Sequence, residues 1–315
     1  VKVIEKFLGT LRVQNYSEHT ISGYRRWLEE FVGFVGEEKD PAKSSSDDVL
    51  AYMSSMTDRS ANTRKAIYIA LRSFFSYLLD TGVISRPVSV PAVKVDRTVV
   101  KVLSTESIKR ILNKISGTTI RDYRDRALIT LMYVTGMRVS EITDLKTSDI
   151  SSYKQVRSSR DRNVKRLRVT VRGKGLKERE IYVNDISAGI LFEYLLKRED
   201  DSEFIFSNHD SRNPSGRLTA GGIRRILHRR AAAARVRADI HPHLFRHSIA
   251  THMLESGVNV FVLQKFLGHE SLESTKKYIT FLDHDYRSVC EDSIKNILYK
   301  RSESGRHGQD SAGSS

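Results

Sequence analysis

RLRVTVRGKGLKEREIYVN, residues 166–184, is where a helical chain changes its period. Leu167, Val169 and Val171 alternate with polar residues, Gly173-Lys174-Gly175 interrupts the run, and Ile181 and Val183 resume it. A period of two on both sides of a glycine-rich turn predicts an antiparallel β-hairpin with a lysine at its tip or on its flank. Upstream, STESIKRILNKI opens a helix with Ser104 as N-cap and Glu106 in the first turn. YRDRALITLMYVT, from about Tyr123 to Thr135, is apolar enough for the centre of a core. GMRVSEITDLKTSDI follows as a Gly-led helix, with Arg138 and Glu141 three residues apart and so on one side. Everything beyond the hairpin reads as helix. This part is therefore expected to be mainly α, with one small antiparallel hairpin.

The first 85 residues carry a helical period alone. Ile4, Phe7, Leu8 and Leu11 share one face, and Ser17 stands as N-cap before Ile21, Tyr24, Leu28, Phe31 and Val32. Asp47 and Asp48 open a short helix through Leu50 and Met53, and Ser60 caps a longer one that Gly82 ends. Four helices make a small all-α domain, taken as residues 1–86. RPVSVPAVKVDRTVV has two prolines and no helical period, which suits an extended linker at 87–103. A second domain is expected over 104–300, and the low-complexity tail 301–315 reads as disordered.

Charge is distributed unevenly. The chain carries 53 Lys+Arg against 38 Asp+Glu, a formal +15. Residues 1–92 account for a net +1 and residues 93–315 for +14. Lys154–Arg179 holds 11 basic and 2 acidic residues, and Arg217–Arg237 holds seven arginines and no acid. Such blocks repel one another unless phosphates neutralise them, so a polyanion is the expected partner. In GGIRRILHRR, Arg224, Arg225, Arg229 and Arg230 recur at helical spacing and are candidate DNA contacts; a solvated basic face is the alternative. The lone Cys290 rules out an intramolecular disulfide framework. There is no apolar run of spanning length, and VKVIEKFLGT lacks a signal-peptide core. The expectation is a soluble intracellular protein with no membrane partner.

Arg138, Lys174, His243, Arg246, His269 and Tyr278 form a set suited to a phosphodiester. Two guanidinia can neutralise non-bridging oxygens, a lysine can protonate a leaving oxygen, imidazoles can move protons and a phenol can attack. Each alone also fits a surface or ion-paired group. His243 and His247 have the i,i+4 spacing of zinc ligands, but Leu-Phe-Arg separates them without a glutamate, and a neighbouring cation disfavours a metal. GKGLKERE lacks P-loop spacing, so nucleotide binding is disfavoured.

TGMRVSEI, VRGKGLKERE, HPHLFRHSIATHML and LGHESLESTKKY, taken together and in this order, resemble the successive signature blocks of the tyrosine recombinase (integrase) family. The compact layout is similar to its Xer-type members. The resemblance covers about residues 4–300 and implies a SAM-like core-binding domain followed by a catalytic domain. It makes Arg138, Lys174, His243, Arg246, His269 and Tyr278 catalytic, with Glu141 and His247 supporting. The basic insert SSYKQVRSSRDRNVKR departs from the compact pattern and leaves Lys177 as an alternative to Lys174; Lys174 is preferred because it lies between the two glycines.

The resemblance implies that Tyr278 attacks a DNA phosphodiester, forming a 3′-phosphotyrosyl bond and releasing a 5′-hydroxyl. An ordinary phenol titrates near pH ~10, so a base and two cations must assist. His243 is assigned as base, Arg138 and Arg246 as charge stabilisers, His269 as donor to a phosphate oxygen and Lys174 as general acid. No metal, ATP or other cofactor is implied. The expected partners are a double-stranded DNA recombination site clamped between the domains, three further copies in a homotetramer on two sites, and an accessory or partner recombinase. The implied location is cytoplasmic and nucleoid-associated. Chromosome-dimer resolution in chromosome segregation, and phage or plasmid integration and excision, remain open. The rivals are type IB topoisomerase-like relaxation, against which the LGH…Y spacing and the helical first domain weigh, a catalytically inactive DNA-binding regulator, and a metal-dependent nuclease.

Overall fold

The computed structural model describes residues 2–36, 39–95, 101–151, 167–172, 178–210, 216–268 and 275, and the chain divides into two units, Val1–Thr98 and Val99–Ser315. Lys174, Lys177, His269, Tyr278, most of the basic insert and the tail 301–315 lie outside the described residues.

In the first unit, serine side chains start every described α-helix after the first. Helix α1 (Lys2–Val13) presents Ile4, Phe7, Leu8 and Leu11 inward. Ser17 accepts from the Thr20 amide to begin α2 (Glu18–Val35), and Ser60 accepts from Thr63 to begin α4 (Ala61–Asp80). Each satisfies an amide that the first turn leaves unpaired. Helix α3 (Ser46–Ser54) is opened by Ser45, not by the two aspartates: Ser45 and Asp48 form a reciprocal capping box. Gly82, at φ 69, ends α4 as read, and the Val83 amide reaches back to Leu78 O at 2.9 Å. Leu8, Leu28, Phe31, Ile67, Leu71 and Phe74 are fully buried in the centre. Each such side chain contributes about 1.5–3 kcal/mol by leaving water. Beyond α4 the chain is extended without being detached. Val88, Val90 and Val93 pack on this core, and the Ser89 amide donates to Ser46 Oγ.

The second unit is built around α6 (Ile120–Thr135). It begins three residues earlier than its apolar run, because Thr119 and Asp122 form a capping box. Ala127, Leu128, Ile129, Leu131 and Met132 are all buried. A helix apolar on most sides must be covered on most sides. Helix α5 (Thr105–Asn113), capped by Ser104, α8 (Asp185–Lys197) and α10 (Pro242–Glu255) cover it. Strands β1 (Leu167–Arg172) and β2 (Glu178–Val183) pair antiparallel, with Leu167 opposite Val183 and Val169 opposite Ile181. Their inward faces join the same core.

The segment after α8 departs from the expected all-helical continuation. The described residues of this segment, 198–210 and 216–219, are irregular. They are held by bridges from Phe204 to Lys146 and from Ser207 to Arg217, and by the buried Arg198, whose guanidinium donates to the carbonyls of Ser202, Phe204 and Ile205. That side chain satisfies carbonyls that the few main-chain bonds of the segment leave unpaired. Helix α9 (Ala220–Ala233) then carries the arginine-rich run, and α11 (Val260–Leu267) follows α10. Among the described residues no helix is long and apolar enough to cross a membrane.

Candidate active site

The chain leaves α6 through Gly136, whose φ of 56° is the left-handed turn that ends the helix. Two residues on, Arg138 occupies the N-cap position of α7 (Val139–Asp144), so the expected Gly-led helix starts after the arginine. The cap is made by Glu141. Its Oε2 accepts the Arg138 backbone amide at 2.7 Å, and its Oε1 accepts Arg138 Nη1 at 2.9 Å.

The same carboxylate meets a second guanidinium. Arg179, on β2, donates from Nη1 to Oε1 and from Nη2 to Oε2, both at 2.9 Å. Each oxygen of Glu141 thus receives two N–H donors. The Glu141 side chain is 3% exposed and that of Arg138 is 36% exposed. Burial pushes the Glu141 carboxyl upward, but the Arg179 hydrogen bonds and charge, with help from Arg138, outweigh it and hold the group below its ordinary range.

Helix α10 brings the second arginine of the sequence pattern. Arg246 is buried, donating from Nη1 to Gly136 O at 2.6 Å and from Nη2 to Leu267 O at 2.7 Å. Arg138 Nη2 lies 3.4 Å from Gly268 O. Two guanidinia therefore meet consecutive carbonyls at the C-terminal end of α11, where carbonyls lack helical partners and the helix dipole is negative. His243 lies one turn before Arg246 and is exposed; its ring centroid is 6.4 Å from that of the half-buried His247. His241 and His252 are held elsewhere, by Asp239 O and the Tyr133 hydroxyl.

Of the sequence candidates, Arg138, Glu141 and Arg246 are drawn together around Gly136 and Gly268, with His243 and His247 on the same helix as Arg246. Lys174, Lys177, His269 and Tyr278 fall outside the described residues, although Thr275, three before the tyrosine, is fully buried. The arginines of α9 separate. Arg224, Arg225 and Arg229 are exposed, Arg229 while donating to Asp125, whereas Arg230 is half-buried and donates to both Asp122 and Asp125. Arg179 was not singled out from sequence, yet its phase shows its place: it is two residues before Ile181 and four before Val183, on the inward side of the strand. Among the described residues, no group of three or more His, Cys, Asp or Glu side chains is arranged to hold a metal ion.

Comparison with known proteins gives the family. The model of the phage integrase family matches residues 101–284, and that of the phage integrase N-terminal SAM-like domain matches residues 3–84. The tyrosine recombinase XerD of Listeria monocytogenes serotype 4b is 31% identical over 291 residues, covering 88% of this chain and 93% of that protein. The tyrosine recombinase XerC of Staphylococcus aureus is 31% identical over 296 residues, covering 90% and 94%. Among solved structures, XerH site-specific recombinase bound to a palindromic difH substrate aligns with a TM-score of 0.69 at 21% identity, over 90% of this chain and 81% of that one. A lambda integrase tetramer bound to a Holliday junction aligns with a TM-score of 0.65 at 18% identity, over 88% and 76%. The chain belongs to the phage integrase family, the tyrosine recombinases, and combines its SAM-like and catalytic domains.

Proposed function

We infer that the chain is a site-specific DNA recombinase that cuts and rejoins strands through a 3′-phosphotyrosyl intermediate. Family membership over nearly the whole chain supports this reading, and one geometric observation carries it furthest. Arg138 and Arg246, 108 positions apart in sequence, converge on the carbonyls of Leu267 and Gly268, immediately before His269. Charge stabilisation of this kind is usually the largest contribution to such a reaction.

In the proposed mechanism Tyr278 Oη attacks phosphorus, with His243 as base. The 5′-oxygen leaves with a proton from Lys174, while Arg138, Arg246 and His269 bind the non-bridging oxygens. The 5′-hydroxyl of a second duplex then attacks the phosphotyrosine, returning the phenol and exchanging strands. The phosphodiester energy is conserved throughout, so no nucleotide is consumed. The proposed assembly is a homotetramer on two DNA sites in the cytoplasm, with accessory proteins or a partner recombinase set by the site. Arg224 and Arg225 are proposed as DNA contacts. Arg229 is exposed but paired with Asp125, and Arg230, 16% exposed and turned to Asp122 and Asp125, is less available for this role.

The test begins with a genomic fragment protected in footprinting, converted to a nicked duplex that traps the cleaved strand. Wild-type protein should form a covalent adduct, and Tyr278→Phe should bind equally well and form none. Adduct formation by Tyr278→Phe at the wild-type level would defeat the assignment. Relaxation of supercoiled DNA without exchange between two sites would favour the topoisomerase reading.

A further inference from the structure

Glu141 sets a full negative charge against the arginine that the proposed reaction needs as a cation. At 2.9 Å the two groups together carry no net charge. In a site shielded from water, an uncompensated carboxylate would remove most of what Arg138 offers a phosphate. The hairpin supplies the compensation. Arg179 lies opposite Val171, in phase with Ile181 and Val183, on the face of the sheet that is otherwise aliphatic. Its side chain is only 14% exposed, and both of its terminal nitrogens are committed to Glu141. Arg138, Glu141 and Arg179 together carry +1, and the exposed member of the three is Arg138.

The alkyl part of Arg179 has a second contact. A Cβ built on Gly268 would lie 2.9 Å from Arg179 Cδ and 3.0 Å from Nη1. The side chain therefore lies directly against the backbone that enters residues 269–278. One arginine thus supports both the acid behind Arg138 and the turn before His269.

We propose that Arg179 is a positioning residue for phosphoryl transfer: by saturating Glu141 it fixes the start of α7 and leaves the Arg138 guanidinium with an unopposed positive charge. The inference rests on the recombinase reading, and it assigns the hairpin a part in the chemistry separate from its lysine. Arg179 acts through Arg138 and touches no DNA.

The test uses the full chain and the nicked, footprinted duplex at saturating concentration, with thermal unfolding measured alongside. Arg179→Met should slow single-turnover adduct formation by roughly 100-fold or more while changing half-saturation by less than about threefold, the pattern of an interaction that matters in the transition state. Adding Glu141→Gln to Arg179→Met should recover about tenfold or more, because the uncompensated acid is then neutral. Arg179→Lys, which keeps the charge, should stay within about tenfold of wild type and covers the case in which Arg179→Met does not fold. Wild-type rates in Arg179→Met would overturn the inference, as would a slow, stably folded Arg179→Met that Glu141→Gln fails to relieve, or an Arg179→Lys as slow as Arg179→Met. Those results leave the recombinase reading standing. Failure of the wild-type protein to form any adduct would overturn both.

Discussion

Arg246 Nη1 donates to the carbonyl of Gly136 at 2.6 Å, tying the middle of α10 to the turn between α6 and α7. The turn is close as well as left-handed. A Cβ on Gly136 would stand 3.1 Å from Leu267 Cδ2 and 3.2 Å from Ile249 Cγ2. Gly136→Ala should therefore cost about 1–3 kcal/mol, from the positive φ and from displaced apolar neighbours. Urea unfolding that gives the same midpoint as wild type would show that the turn tolerates a side chain.

The arginines of α9 should separate in two experiments. Replacing both Arg224 and Arg225 with alanine removes two exposed cations, so the slope of log affinity against log salt should fall by about 2 for duplex DNA, with little change in stability. Arg230→Met breaks a partly buried pair with Asp122 and Asp125, and should lower stability by roughly 2–4 kcal/mol. An unchanged salt slope in the first variant would exclude its two side chains as phosphate contacts.

His209 provides a pH signature for the second unit. Burial, with the charge of Arg124 beside it, pushes its pKa down to about 4 from 6.5. Its side chain is 9% exposed, and Nε2 is 2.9 Å from the Tyr194 hydroxyl. The unfolded chain therefore takes up this proton near pH 6.5 and the folded chain only near 4. Stability associated with neutral His209 is complete above pH 6.5, is lost as pH falls through that window and is gone below 4, a change on the order of 2–3 kcal/mol. His209→Asn, which tolerates the residue's φ of 51°, should flatten the stability profile between pH 6.5 and 4. An identical slope in the variant would show that another group carries the proton.

Period and punctuation made most of the fold legible. Ser17, Ser60 and Ser104 cap the helices they were expected to cap, because a hydroxyl before an apolar stripe has one local use. The hairpin lies where the period of two occurs. The misread boundaries are those where a long-range or reciprocal contact decides. The capping boxes of Ser45 with Asp48 and Thr119 with Asp122 moved two helix starts, and Arg198 gathers the carbonyls of Ser202, Phe204 and Ile205 without any periodic signal. At the candidate site, the motif order singled out Arg138, Glu141 and Arg246, which the fold brings around Gly136 and Gly268. It could not reveal that Arg230 is turned inward, since its acidic partners are more than 100 residues away. Arg179 was visible as a charge in an inward phase, but the dense positive run around it hid the exception.

The order Glu178-Arg179-Glu180 on β2 also safeguards strand alignment. Side chains alternate between faces, so a slip of one residue would exchange Arg179 for an acid on the inner face. That acid would then confront Glu141, two carboxylates in a space that now holds a carboxylate and a guanidinium. Aliphatic residues alone would penalise the slip through lost burial. The charge pattern adds repulsion, so a misaligned hairpin is rejected at the place where the chemistry is to be assembled.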